Sequence, residues 1–422
     1  MKIIFLLLII IASPLLKLYA QMDLDGEFRF RWYSDRFYDT RDNRDKENYI
    51  RYFGRLHGSI QSSKTTTFHT EVSTVIQNPN TVSARNIAGS GRLNFTVSQL
   101  YADIVMPDIP VLDLMRLRLG RQPFGLGSGL SFGESYYYLE KFDGARVDLA
   151  YGDLTLTGFG AITGQNLSES GLYPEPGSDQ VYALRAGYSV YQQDIIAYYL
   201  LNKYRGMYND NYIIGAGLNS EMLQNRLNYF AEFAYQKFNT APGLPEKGGI
   251  GYMGGIGYRW TIGPIRSLKV ETRYAAFRGD DKSTKDIEIF SPPYASFFWG
   301  DRFGYVNGEI GGNFPNNGRY PDGSRLWFTR VYMIHKSLPA LRVQLQYLKM
   351  NEYEDTDGIN PFDDEVSLRF YYQLYKQAQL QLRISKSFVN GEDTDANNSG
   401  QITSSEDRYS YMRFMFEVNL EF

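Results

Sequence analysis

The 422-residue sequence contains no cysteine, and it has only three histidines and four tryptophans. Without cysteine there is no disulfide framework, no thiolate metal centre and no lipid-modified cysteine anchor. Three histidines leave little material for a catalytic base or an imidazole metal site. Beyond residue 20 nothing approaches the roughly 20 consecutive apolar residues that a spanning helix needs. Neither sign of charge dominates. Lys and Arg total 44 against 47 Asp and Glu, a formal net charge of -3, too small to argue for or against a polyanionic partner.

The one apolar run lies at the start. Residues 1–20 (MKIIFLLLIIIASPLLKLYA) carry a basic Lys2, an apolar stretch from Ile3 to Ala12, and the small Ala20 at a cleavage position. This reads as a secretory signal peptide, although Leu18 fits the small-x-small pattern poorly. Ser13-Pro14 and Lys17 stop the stretch short of a membrane span. Residues 21–422 are then expected to form one domain.

Aromatics are abundant, at 16% of the chain with 35 Tyr, while the mean hydropathy is low at -0.39. The two fit together if apolar side chains sit on alternate strand positions and polar ones dilute them. The last eleven residues (MRFMFEVNLEF) show the pattern. Met412, Phe414, Phe416, Val418, Leu420 and Phe422 share one face, opposite Arg413, Met415, Glu417, Asn419 and Glu421. Reading for this period gives about eighteen strands, the first at 25–37 and the last at 407–422.

The connections sort by parity. After even-numbered strands they are tight: Ser63-Lys64, Gly152, Tyr191, 220–225, 263–265, Leu338 and 375–377. After odd-numbered strands they are mostly long and polar, as at 38–47, 78–91, 124–139, 164–178, 280–323 and 390–406. Short turns at one end and long loops at the other predict an all-β, antiparallel, up-and-down transmembrane barrel of about 18 strands in the outer membrane of a Gram-negative bacterium. Residues 302–314 offer a nineteenth strand, but an odd number would leave the C-terminus on the wrong side. The 280–323 segment therefore reads as one long loop, a candidate for folding into the pore.

Alternation also assigns a lumen face. A charge on the lipid face costs roughly 2–4 kcal/mol at the midplane, so Arg29 and Arg31 must point inward while Phe28, Phe30 and Trp32 face lipid. The same parity turns Arg51, Arg55, His57, His69, Glu71, Tyr101, Asp103, Arg116, Arg118, Arg146, Asp148, Arg185 and Glu232 inward. Lys269, Glu271, Arg273, Arg342, Arg369, Arg383, Arg413 and Glu417 follow. Arg29, Arg31, Arg51, Arg55, Arg383 and Arg413 are expected to form one basic wall near the seam, with Arg413 beside Arg29 and Arg31. Two explanations of this lumen compete: guanidinium and carboxylate ladders that satisfy each other, or unpaired guanidinium groups that guide anions.

Three stretches carry a family resemblance. SQLYADIVM (98–106) precedes LRLGRQPFGLGSGLSFG (117–133), FDGARVDL (142–149) follows, and FSPPYASFFWGDRFGYVNG (290–308) comes later. In order and spacing they resemble the bacterial alginate-export family of outer-membrane barrels. The resemblance implies an eighteen-stranded monomeric barrel with an electropositive pore for an anionic polysaccharide. Its motif positions map onto Gly120, Arg121, Gln122, Phe142, Asp143, Gly144 and Arg146, and onto Trp299, Gly300, Asp301 and Arg302.

The resulting expectation is an outer-membrane channel passing anionic solutes or polysaccharide through an arginine-lined lumen. The alternative is a nonselective general porin whose lumen charges are paired structurally, and an outer-membrane hydrolase comes third. His57 and His69 lie on adjacent strands but no matching serine accompanies them, and the acidic run 351–365 lacks the spacing of a Ca2+ loop. No metal, cofactor or nucleic acid is implied. The expected partners are outer-membrane lipid, the anionic solute, and the barrel-assembly machinery through the strand ending at Phe422.

Overall fold

The structure is a computed structural model that describes residues 21–38, 46–77, 94–107, 109–131, 142–163, 179–203, 210–240, 242–279, 287, 290, 324–352, 364–390 and 408–422. Segments 1–20 and 302–314, and most of the 280–323 loop, lie outside the described residues. The described residues form eighteen strands. The first nine are β1 (Gln21–Tyr38), β2 (Lys46–Gln61), β3 (Thr66–Gln77), β4 (Asn94–Met106), β5 (Leu114–Gln122), β6 (Phe142–Tyr151), β7 (Leu154–Thr163), β8 (Asp179–Val190) and β9 (Gln193–Lys203). The second nine are β10 (Asn211–Met222), β11 (Leu227–Phe238), β12 (Lys247–Ile262), β13 (Ile265–Phe277), β14 (Ser324–His335), β15 (Leu338–Glu352), β16 (Asp364–Tyr375), β17 (Ala378–Asn390) and β18 (Arg408–Glu421).

Each strand pairs antiparallel with its sequence neighbours, and β1 pairs with both β2 and β18. The sheet closes on itself and has no edge, which is the condition for a sheet in hydrocarbon, where unpaired backbone groups find no water. The wall is inverted relative to a water-soluble barrel. On β11, Glu232, Ala234 and Gln236 are buried while the interleaved Phe233 and Tyr235 are exposed. On β1, Glu27, Arg29 and Arg31 are buried while Phe28 and Trp32 face outward.

Tight connections sit where parity places them. Between β8 and β9, Tyr191 and Gln192 both take positive φ, 47° and 67°, the mirror-image turn whose twist matches that of the flanking strands. Between β14 and β15 the turn is Lys336–Ser337 rather than Leu338, which begins β15. His335 draws it back: its Nδ1 accepts the Ser337 N–H at 3.1 Å, and the Lys336 N–H donates to the Pro264 carbonyl at 2.9 Å.

The seam register differs from expectation. Glu421 stands opposite Glu27, so Asn419 stands opposite Arg29, Glu417 opposite Arg31, and Arg413 opposite Asp35 in the backbone register. Arg413 is therefore displaced along the seam from Arg29 and Arg31. No hairpin joins β18 to β1, and without a turn the alternation pattern fixes which face a residue takes but not its partner.

A second correction concerns the β5–β6 connection. It reads in sequence as a polar extracellular loop, yet residues 123–131 run inside the barrel. Phe124, Leu126 and Leu130 are buried with Phe159, Val181, Leu200, Ile213, Ala234 and Met253 in one apolar cluster, to which Phe290 also belongs. Phe124 stacks on Phe159 at 4.0 Å between ring centroids, and Phe290 stacks on Phe277 at 6.2 Å. The physical reason is the inner wall of β7–β14, where apolar or small side chains point inward and would be wetted without a cover.

Candidate functional site

The remaining inner wall is charged, and its geometry follows from strand pairing. On β1 the inward alternation places Glu27, Arg29 and Arg31 in a row, and β18 contributes Glu417 beside them. Arg29 is ion-paired with Glu27 and lies 3.8 Å from Glu417. Arg31 is ion-paired with Glu417 and donates to the Tyr33 hydroxyl at 3.3 Å. Arg55 on β2 bridges Glu27 at 3.3 Å and Glu71 at 3.8 Å, while the Ser98 hydroxyl donates to Glu71 at 2.7 Å. Carboxylates thus interleave Arg29, Arg31 and Arg55 instead of leaving an unbroken basic wall.

The pattern continues around the barrel. Arg118 makes a two-pronged contact to Asp103, at 2.7 and 2.8 Å. Asp148 receives Arg116 at 2.9 Å, Arg146 at 2.8 Å and the Thr157 hydroxyl at 2.9 Å. Such forks are stronger and more directional than single ion pairs, so these guanidinium groups are held in fixed orientations along the lumen. On the far side Glu271 is shared by Lys269 at 3.2 Å, Arg330 at 2.9 Å and Arg273.

Planar side chains line up beside these charges. Arg118 lies 4.2 Å from the Tyr101 ring centroid, His69 stacks on Tyr101 at 4.6 Å, and His57 stacks on His69 at 5.8 Å. His57 Nδ1 is 3.0 Å from Asp25, and His69 Nε2 is 3.5 Å from Asp103. The two histidines do meet across adjacent strands, each beside an aspartate.

The other sequence-assigned positions divide into three groups. Arg369 donates to the Ser367 hydroxyl at 3.3 Å and stands opposite Arg383, and Arg413 is buried over the Tyr33 ring at 5.2 Å. All three of these arginines have further partners. Arg185 and Arg342 have no carboxylate partner among the described residues, though Arg342 lies 4.0 Å over the Tyr371 ring. The backbone of Arg51 pairs with Arg31, but its side chain is outside those described, as are Trp299, Gly300, Asp301 and Arg302.

Apart from Arg146, which lines the lumen, the first set of motif residues builds wall rather than pore. Gly120 stands opposite Gly144 across β5–β6, and a Cβ at Gly120 would lie 2.3 Å from the Leu100 carbonyl oxygen. Arg121 clamps Asp143 at 2.7 and 2.9 Å, and the Gln122 amide donates to the Gly144 carbonyl at 3.1 Å. Phe142 packs edge-on against Phe159. Sequence reasoning missed the inward segment 123–131 and Tyr198, which binds it. The available signal was β9, IIAYYLLN, apolar at both parities; such a run marks a strand covered on both faces.

No family model and no curated protein sequence matches this chain. Solved structures do. OccK9 (OpdG) of Pseudomonas aeruginosa superposes with a TM-score of 0.57 at 15% identity, covering 95% of this chain and 99% of that one. OccK11 (OpdR) of the same organism gives 0.55 at 12% identity over 95% and 96%. Its outer membrane protein opdK gives 0.53 at 10% over 95% and 99%. These likenesses correct the alginate-export resemblance. Of the residues that carried it, Gly120, Arg121, Gln122, Asp143 and Gly144 serve close strand packing and a wall clamp, so these five report barrel geometry and not cargo. By fold, the chain is an eighteen-stranded barrel of the outer-membrane kind.

Proposed function

We propose that this protein is a passive outer-membrane channel for small hydrophilic solutes, a porin whose lumen charges are largely compensated by one another. The observation that carries this reading is the run of guanidinium–carboxylate contacts on the inner face of β1–β6. Arg55, Arg116 and Arg146 keep partial exposure while bound to Glu27, Glu71 and Asp148. A wall of this kind is polar enough to hold water yet presents little net field to a passing ion. Purified protein in planar bilayers is expected to give discrete conductance steps with a small reversal potential in a salt gradient. Absence of steps from correctly folded protein overturns the proposal.

Arg185 and Arg342 favour a second reading, an anion preference. Neither has a carboxylate partner among the described residues, and the Nε of each is buried without a hydrogen bond. A reversal potential well towards the anion limit, abolished by Arg185→Gln with Arg342→Gln, would establish it. Catalysis finds less support, since among the described residues the contacts of His57 and His69 are to Asp25, Asp103, Tyr101 and each other, with no serine nucleophile among them.

A further inference from the structure

The inward segment 123–131 is fastened to the wall at one polar point. Glu232 on β11 is 3% exposed, and its carboxylate accepts the backbone N–H of Ser128. The Tyr198 hydroxyl donates to the same carboxylate at 2.7 Å, and the Ser131 hydroxyl lies 2.8 Å from the Tyr198 oxygen. Because the Tyr198 proton is committed to Glu232, Ser131 is the donor in that last contact. One carboxylate thus gathers a backbone donor directly and a side-chain donor through the phenol.

The surroundings are shaped for this contact. Tyr198 belongs to β9 and Glu232 to β11, so the phenol must cross β10, and it does so over Gly215. A Cβ there would lie 2.1 Å from the Tyr198 ring. Gly127, at a φ of 57°, lets the segment turn against the carboxylate, and a Cβ at that position would lie 2.5 Å from it. A carboxylate in an otherwise apolar cluster is costly unless its oxygens are hydrogen-bonded, and here the segment and Tyr198 supply the donors.

We propose that Glu232 and Tyr198 are positioning residues that latch segment 123–131 to the inner wall and thereby set the open cross-section of the channel. The second half of this statement rests on the channel reading above; the latch itself does not. Losing the carboxylate takes the acceptor from the Ser128 N–H and the Tyr198 hydroxyl and releases the segment into the lumen, where it fluctuates instead of lying flat.

The test uses the absence of native cysteine. Leu126→Cys places one thiol in the buried part of the segment, and its rate of modification by a small water-soluble maleimide in the folded barrel reports release. Adding Glu232→Ala is expected to raise that rate by about tenfold, the shift that loss of one charge-assisted hydrogen bond produces. Adding Tyr198→Phe instead, which keeps the ring over Gly215, is expected to give a smaller rise. In parallel, Glu232→Ala without the reporter is expected to change unitary conductance and increase open-state current noise.

Equal thiol rates with and without the substitutions, in protein that still migrates as a compact barrel on unheated gels, overturn the latch. Faster labelling with unchanged conductance overturns its control of the cross-section. Should Glu232→Ala fail to fold, Tyr198→Phe decides on both readouts. Failure of the parent protein to conduct removes the channel reading and with it the cross-section half, while the labelling rates still judge the latch.

Discussion

Gly26 and Phe422 face each other across the closing seam and exchange both backbone hydrogen bonds, at 2.9 and 3.0 Å. The Phe422 ring covers Gly26, so that a Cβ on residue 26 would lie 2.5 Å from two ring carbons. The last residue of the chain thus rests in a notch made by the absence of a side chain on the first strand.

Gly26→Val should therefore obstruct closure, with a cost of about 1–3 kcal/mol for overpacking. Refolding into detergent micelles, followed by the fraction of compact barrel on unheated gels, measures it. Adding Phe422→Ala should recover much of the loss, because the ring and the new side chain compete for one place. No recovery in the double variant would mean that the notch is incidental.

Asp103 holds Arg118 by both prongs and stands 3.5 Å from His69. Asp103→Asn should cost about 1–3 kcal/mol by leaving a half-buried guanidinium short of acceptors. If the lumen conducts as proposed, the same change should move the reversal potential towards anions, and Arg118→Gln should move it the other way. A shift of equal sign in both variants contradicts the compensated-wall reading.

Among the described residues Glu271 is the single carboxylate serving Lys269, Arg273 and Arg330, and it is 2% exposed. Glu271→Gln should destabilise by about 3 kcal/mol, near the low end for breaking a buried ion pair because the three cations keep partial access to water. Urea unfolding midpoints in lipid vesicles provide the check. Truncating Arg116, whose partner Asp148 retains Arg146 and Thr157, should cost less.

Leu184 and Leu200 lie on neighbouring strands and face opposite ways, the first 63% exposed and the second fully buried. Leu184→Arg should cost roughly 2–4 kcal/mol in a bilayer near the midplane. Leu200→Ala should cost about 2–5 kcal/mol through a cavity inside the barrel, in bilayer and detergent alike. Equal sensitivity of the two variants to the surrounding medium would contradict the assigned faces.

The strand number and the sorting of connections were legible in the sequence because both depend on local alternation. Glu27, Arg29 and Arg31 announce an inner face simply by being charged at every second position. The pairing of Arg413 with Asp35 was not legible, since that register depends on how far the sheet shears before it closes. The inward path of 123–131 was hidden for a different reason. Its glycines and serines look like a solvent loop, while the partners of Leu126 and Leu130 lie on strands far along the chain. Tyr198 gave no signal of its own, as one of 35 tyrosines it is singled out only by Gly215 beneath it and Glu232 beyond.

The unbroken ring of strand pairings has a consequence in time. Parting β1 from β18, paired from Glu27 opposite Glu421 to Tyr38 opposite Ser410, would expose two rows of backbone groups to hydrocarbon at several kcal/mol for each group left unsatisfied. Partial unzipping is therefore not a populated state, and persistence in the membrane is governed by the height of an unfolding barrier. A cell that retires this protein must sever its loops or extract the whole barrel, because no single strand can be drawn away first.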